Sequence, residues 1–139
     1  MSTTYSKILL SWYQSTAHRG ILTEADYQET GYNPKCGDRL TFYVKGNHST
    51  GVYKIQYAPE ACMLCTASAE AAVQLCLSRH EAVSQLISEI ESITGEKFKS
   101  GIDEEIEKPL SETLQAYPAR QTCLILPWDT LASLLKKLK

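Results

Sequence analysis

The sequence predicts a chain of mixed α and β class, one antiparallel β-hairpin set among helices, and three observations carry that reading. Residues 39–45 and 52–57 alternate apolar and polar side chains, the period of two of half-buried strands. The glycine-bounded loop Gly46 to Gly51 joins them. Before and after this pair, apolar residues return at helical spacing.

Taken in order, residues 3–17 read as an amphipathic helix, with Tyr5, Ile8, Leu9, Trp12 and Tyr13 on one face, Thr3 or Thr4 as cap and Gly20 as stop. Ile21 to Tyr32 is polar and turn-rich, with Asp26 to Thr30 a candidate short edge strand. In the hairpin, Leu40, Phe42 and Val44 share one face of the first strand, and Tyr53, Ile55 and Tyr57 one face of the second. Pro59, with no amide hydrogen to give, is expected to end the pairing. An alanine-rich helix follows over about residues 66–77. Ser78 with Glu81 fits a capping box for a fresh helix from Arg79 to about Ile93, whose buried stripe is Val83, Leu86, Ile87 and Ile90. Thr94-Gly95 stops it. Residues 96–108 read as a solvated charged connection with a helical turn at Asp103 to Glu107, and Pro109 as the first turn of a short helix closed by Tyr117-Pro118. The last helix starts near Cys123, with Leu124, Trp128, Leu131, Leu134, Leu135 and Leu138 apolar and lysines at its negative end.

The 139 residues suit a single domain, 1–139, with one core. A net charge of −2 gives no reason to expect nucleic-acid binding, and no apolar run approaches the roughly 18–20 residues of a membrane span. The N-terminus lacks the features of a signal peptide. Five cysteines, an odd number, then argue for reduced thiols in a cytoplasmic setting rather than a disulfide framework.

Chemistry concentrates in Asn33-Pro34-Lys35-Cys36-Gly37-Asp38, where a thiol and a carboxylate flank a glycine. Thiolate and carboxylate are both ligand types for zinc. Cys62 falls between hairpin and helix, where the helix dipole favours thiolate, and Cys123 stands at a similar junction. Cys36, Asp38, Cys62 and Cys123 would make a three-thiolate, one-carboxylate site. Its net charge calls for nearby cations, for which Lys35, Arg39 and Arg120 are candidates; each also reads as a plain surface residue. Cys62-x-x-Cys65 offers a rival, a redox dithiol at a helix start, although the expected βαβ setting is absent. Cys65 reads equally as a small residue of the helix's first turn, and Cys76 as core. His18, His48 and His80 read as solvated histidines.

The run Asn33-Pro34-Lys35-Cys36-Gly37-Asp38-Arg39-Leu40 resembles the NPxCGD signature of the iron–sulfur assembly proteins of the IscU/NifU N-terminal group. Ala61 to Ala69 is similar to that family's second cysteine and the small-residue helix after it. Tyr117 to Cys123, continued through Trp128 to Leu131, resembles the third-cysteine segment of the SufU branch, as does the long separation between Cys62 and Cys123. The resemblance covers nearly the whole chain. It implies an α+β fold, a small antiparallel sheet packed against several helices, with a metal site at one exposed end. It implies metal ligation by Cys36, Asp38, Cys62 and Cys123, with zinc or a transient [2Fe–2S] cluster or iron as the bound species. It also implies a pyridoxal-phosphate cysteine desulfurase as partner, passing persulfide sulfur to Cys36, and iron–sulfur recipient proteins downstream. Such a protein is a scaffold or sulfur-transfer protein rather than a turnover enzyme; the alternatives are a structural zinc domain and a CxxC thiol-redox protein.

The sequence departs from the family at several points. Thr122 stands where IscU proteins have histidine and SufU proteins often have lysine. Tyr117-Pro118-Ala119-Arg120 replaces the IscU chaperone-binding motif, Ala61 the usual glycine, and Cys65 is an extra thiol.

Overall fold

A computed structural model describes residues 3–138, with side chains from Ser6 onward; the predicted Thr3/Thr4 cap and the Tyr5 packing fall on side chains outside that description. Its helix α1 spans Thr3–Gln14. It ends before the expected residue 17. The chain beyond it runs against the sheet instead: Tyr57 donates its amide to the His18 carbonyl at 2.9 Å, and Gly20 donates to the Tyr57 carbonyl at 2.8 Å.

Three antiparallel strands follow, β1 (Tyr27–Asn33), β2 (Asp38–Asn47) and β3 (Gly51–Glu60), in the order β1-β2-β3. The candidate edge strand is therefore real and longer than expected. It pairs Asn33 with Asp38, so the Asn33–Asp38 motif forms a β-hairpin turn. Leu40, Phe42, Val44, Ile55 and Tyr57 are buried on the sheet as their alternation requires. Tyr53 is not: the register shifts between Lys45 and Gly46, which pair with Lys54 and Val52, and the unpaired Tyr53 turns outward. Nor does Pro59 end the pairing, which continues through Leu40–Pro59 to Arg39–Glu60. An edge strand tolerates a residue without an amide hydrogen.

Helix α2 (Met63–Ser78) starts three residues earlier than predicted, directly after Cys62. Helix α3 spans Val83–Gly95, and its N-cap, Ala82, makes no side-chain cap bond. The expected Ser78/Glu81 box does not form. Ser78 Oγ donates to the Leu75 carbonyl instead, and Glu81 pairs with Arg79. Helix α4 is one continuous element, Glu104–Ala116, with Pro109 inside it rather than in its first turn. The connection before it is largely solvated as expected, with Glu96, Lys97 and Lys99 exposed, but Phe98 is buried and stacks edge-on against Trp128 with centroids 5.8 Å apart. A 3-10 turn, Pro118–Arg120, leads into helix α5 (Gln121–Leu135).

Helix α5 lies on β1 and β2, α2 on β3, and α2 and α5 pack on each other, so the helices and one sheet face enclose the core. The small residues of α2 permit that close approach. Ser68 sits at the contact, donating to the Leu124 carbonyl at 2.6 Å and accepting from Trp128 Nε1 at 2.9 Å. Gly31 serves β1 the same way, since a Cβ there would run into the Thr130 hydroxyl of α5. These contacts hold the start of α5 beside the β1–β2 turn and the start of α2.

Candidate metal centre

Three chain segments meet at one end of the sheet. The β1–β2 turn is built by its own residues: Gly37 donates to the Asn33 carbonyl at 2.8 Å, and the Lys35 amide donates to Asn33 Oδ1 at 3.1 Å. Gly37 has φ +73°, a left-handed conformation that glycine adopts without strain. The turn leaves Cys36 exposed at its tip and Asp38 buried at the first residue of β2. The buried Asn33 amide also donates to Thr122 Oγ1 at 3.1 Å, tying the turn to α5 one residue before Cys123. Nothing in the sequence pointed to that pair.

Cys62 is the N-cap of α2. Its sulfur accepts the Cys65 amide at 3.4 Å, and its own amide donates to Asp38 Oδ1 at 2.9 Å. The second Asp38 oxygen lies 3.9 Å from the Cys62 sulfur. Asp38 thus braces the start of α2 with one oxygen and keeps the other among the thiols. Cys123, in the first turn of α5, is buried, and its sulfur lies 3.5 Å from that of Cys36. Pro127 has no amide hydrogen to give the Cys123 carbonyl four residues back, which loosens the helix at this position.

The ligand atoms of Cys36, Asp38 and Cys123 all lie within 4.8 Å of one another. Cys62, the fourth predicted residue, stands outside that mutual distance and touches the group through Asp38. Burial pushes the Cys123 thiol well up, and hydrogen bonds to Asp38 and Cys36 add to the effect. Burial likewise pushes Cys65 up, with the charges of Asp38, Cys62, Cys123 and Cys36 contributing in that order. Burial thus keeps the proton on Cys123, and a divalent ion bound there would displace it.

Of the three candidate cations, Arg120 is the one beside the thiols. A hydrogen bond to Cys123, with the charges of Cys123, Cys62 and Cys36, raises the pKa of this exposed guanidinium further. Arg39 instead stacks over Tyr32 at 5.1 Å, and Lys35 is exposed. Cys76 is core, its thiol pushed up to about 12 by burial and then by Glu89 and Glu81.

His48 and His80 are exposed, as expected. His18 is not simply solvated. Its Nδ1 lies 2.8 Å from Oε2 of the fully buried Glu70, which also accepts from Tyr57 Oη at 2.9 Å and Gln74 Nε2 at 3.0 Å. The signal available in the sequence was Glu70 itself, a lone charge inside the small-residue run of α2.

The chain matches the NifU-like N terminal domain family over residues 4–125. It is 35% identical over 137 residues to the iron–sulfur cluster assembly scaffold protein IscU of Thermotoga maritima, covering 96% of this chain and 94% of that protein. Among solved structures it resembles a protein of Fervidobacterium islandicum AW-1 described as a cluster assembly scaffold for the SUF system, with TM-score 0.78 and 20% identity over 97% of this chain and 99% of that one. The N-terminal part of a NifU-like protein of Brucella abortus gives TM-score 0.78 and 20% identity, over 95% of this chain and 92% of that one. At that identity, the two structures speak for the fold.

Proposed function

The chain belongs to the NifU-like N-terminal domain family, and on that premise we propose that it is an iron–sulfur cluster assembly protein acting as scaffold or zinc-dependent sulfur carrier. Cys36, Asp38, Cys62 and Cys123 hold the metal, and Cys36 accepts persulfide sulfur from a pyridoxal-phosphate cysteine desulfurase. The observation that carries this reading is the convergence of the Cys36, Asp38 and Cys123 ligand atoms within 4.8 Å, from segments far apart in sequence.

The donor set fits zinc. Thiolates at about 2.3 Å around a tetrahedral centre stand roughly 3.8 Å apart, and the Cys36 and Cys123 sulfurs are 3.5 Å apart. Cys62 would complete the set by moving toward the other sulfurs, from a position 3.9 Å from the Asp38 carboxylate. Bound zinc supplies no redox chemistry and keeps thiolates from oxidation. Iron or a nascent [2Fe–2S] cluster on the same residues would be cargo, destined for recipient proteins.

The residues divide the work by exposure. Cys36, exposed on a turn, reaches a partner's persulfide: its thiolate attacks the outer sulfur, the partner's S–S bond breaks, and the partner cysteine leaves as thiolate. Buried Asp38 is the harder and more readily exchanged ligand, so the site stays open where an all-cysteine site would be closed. Arg120 offsets thiolate charge at the rim. The odd set of free thiols suits a cytoplasmic setting.

Metal analysis of anaerobically purified protein tests the assignment. About one zinc ion, or an iron–sulfur chromophore, is expected per chain, lost in Cys36→Ala and Asp38→Ala and kept in Cys65→Ala. With a desulfurase and cysteine, persulfide should map to Cys36 and desulfurase turnover should rise. Bound metal without either response would mark a structural zinc domain instead.

A further inference from the structure

Cys65 has no place in the proposed ligand set, yet its amide donates to the Cys62 sulfur at 3.4 Å. That bond folds the Cys62 side chain over the first turn of α2, toward the residue that carries the second thiol. Two thiols in a C-x-x-C spacing, the first capping a helix and the second in its first turn, have the layout of a redox dithiol. The Cys65 side chain is fully buried, whereas Cys62 is half-buried. Thiol chemistry at Cys65 therefore passes through Cys62.

We infer that Cys62 and Cys65 form an internal dithiol that reduces bound sulfane sulfur to sulfide, with Cys65 as the resolving thiol. The inference rests on the acceptor reading of the site, and supplies a step which its scaffold form needs: sulfur arriving in a persulfide must gain electrons to become the sulfide of a cluster. Sulfane sulfur on Cys36 passes to Cys62 when the Cys62 thiolate attacks the outer sulfur and Cys36 leaves as thiolate. The Cys65 sulfur then attacks Cys62 Sγ. A Cys62–Cys65 bond forms and the persulfide bond breaks. The outer sulfur departs as hydrosulfide with that bond's electron pair and takes up the Cys65 proton. The two thiols are oxidised to a disulfide as the sulfane sulfur is reduced. One turnover needs no outside reductant, and a low-molecular-weight thiol or a dithiol protein resets the pair.

The sulfurs of Cys36 and Cys123, 3.5 Å apart, are the competing pair. A bridge between them would remove two proposed ligands. A Cys62–Cys65 bridge removes one and leaves Cys36, Asp38 and Cys123, the three residues with converging ligand atoms, ready to hold iron when sulfide is released.

The test loads the reduced, thiol-free full chain with inorganic polysulfide under anaerobic conditions, removes the excess by gel filtration, and follows sulfide, intact mass and disulfide map. The expected result is about one sulfide per bound sulfane sulfur without added thiol, with a Cys62–Cys65 bridge in the map. Cys65→Ser and Cys65→Ala, folded by circular dichroism, should retain the sulfur and release sulfide at least roughly ten-fold more slowly. Release at the wild-type rate from these variants, or a bridge mapped to Cys36–Cys123, overturns the inference. If the variants lose the fold, the wild-type map decides alone. A wild-type chain that takes up sulfur and keeps it overturns this inference while the acceptor reading stands; one that takes up none overturns both.

Discussion

Arg79 lies between two acidic side chains, its Nη1 donating to Glu81 at 3.2 Å and Glu89 at 2.9 Å, while Nη2 donates to the Ile102 carbonyl at 2.7 Å. With Asp103 also 3.9 Å away, one cation faces three carboxylates, and Glu81 Oε2 and Glu89 Oε1 are left buried without a donor among the described residues. A shared proton satisfies both. Accordingly, burial first and Glu81 next push Glu89 from an ordinary 4.5 up to about 7, against the pull of Arg79. Glu89 then binds a proton in the folded state that it lacks in the unfolded chain between those values, so its contribution to stability is full below about pH 4.5 and is lost as pH rises to about 7. Urea unfolding across this range should show a decline on the order of 2 kcal/mol, flattened in Glu89→Gln. An unchanged slope in that variant would assign the decline to another group.

At the level of elements, the segment between α3 and α4 shows how a polar-looking stretch lends a side chain to the core. The Glu107 carboxylate, on the first turns of α4, accepts from the Ser100 amide at 2.8 Å, the Ser100 hydroxyl at 2.6 Å and the Asp103 amide at 2.8 Å. Asp103 caps the same helix through the Ile106 amide. The loop so anchored carries Phe98, at φ +67°, into the core against Trp128. Glu107→Ala would leave three donors to find new partners and should lower stability by about 3 kcal/mol. Hydrogen exchange should quicken through residues 97–103 in the same variant. Unaltered protection there would show that Phe98 packing alone holds the loop.

For the molecule as a whole, the candidate centre joins the β1–β2 turn, the start of α2 and the start of α5, the last two held together by Ser68, Leu124 and Trp128. Metal held there links parts of the chain that separate on unfolding, so its binding free energy adds to folding stability. At a free metal concentration near 1,000 times Kd the gain is about 4 kcal/mol, and a chelator should lower Tm on the order of 10 °C. In Asp38→Ala most of that shift should vanish, because the variant loses a proposed ligand as well as the carboxylate that braces Cys62. A chelator effect of equal size in both proteins would place the metal elsewhere. Among the described residues, no helix is long and apolar enough to cross a membrane.

The sequence by itself determined the hairpin of β2 and β3, the apolar faces of α3 and α5, and the residue types that converge at one end of the fold. Periodicity, glycine turns and a thiol–carboxylate motif are local signals, set by neighbours within a few positions. What it misjudged turned on distant partners. Pro59 reads as a terminator until β3 is known to be an edge strand. Phe98 reads as part of a solvated stretch until Glu107 and Trp128 are beside it. Glu70 and His18 are separate residues until the segment after α1 is laid along β3. Only the tertiary structure decided that Cys36, Asp38 and Cys123 converge while Cys62 stands one contact away, and that Cys65 lies buried against Cys62. Such distances depend on how closely α5 can approach β1 and α2, which Gly31 and Ser68 decide from far along the chain.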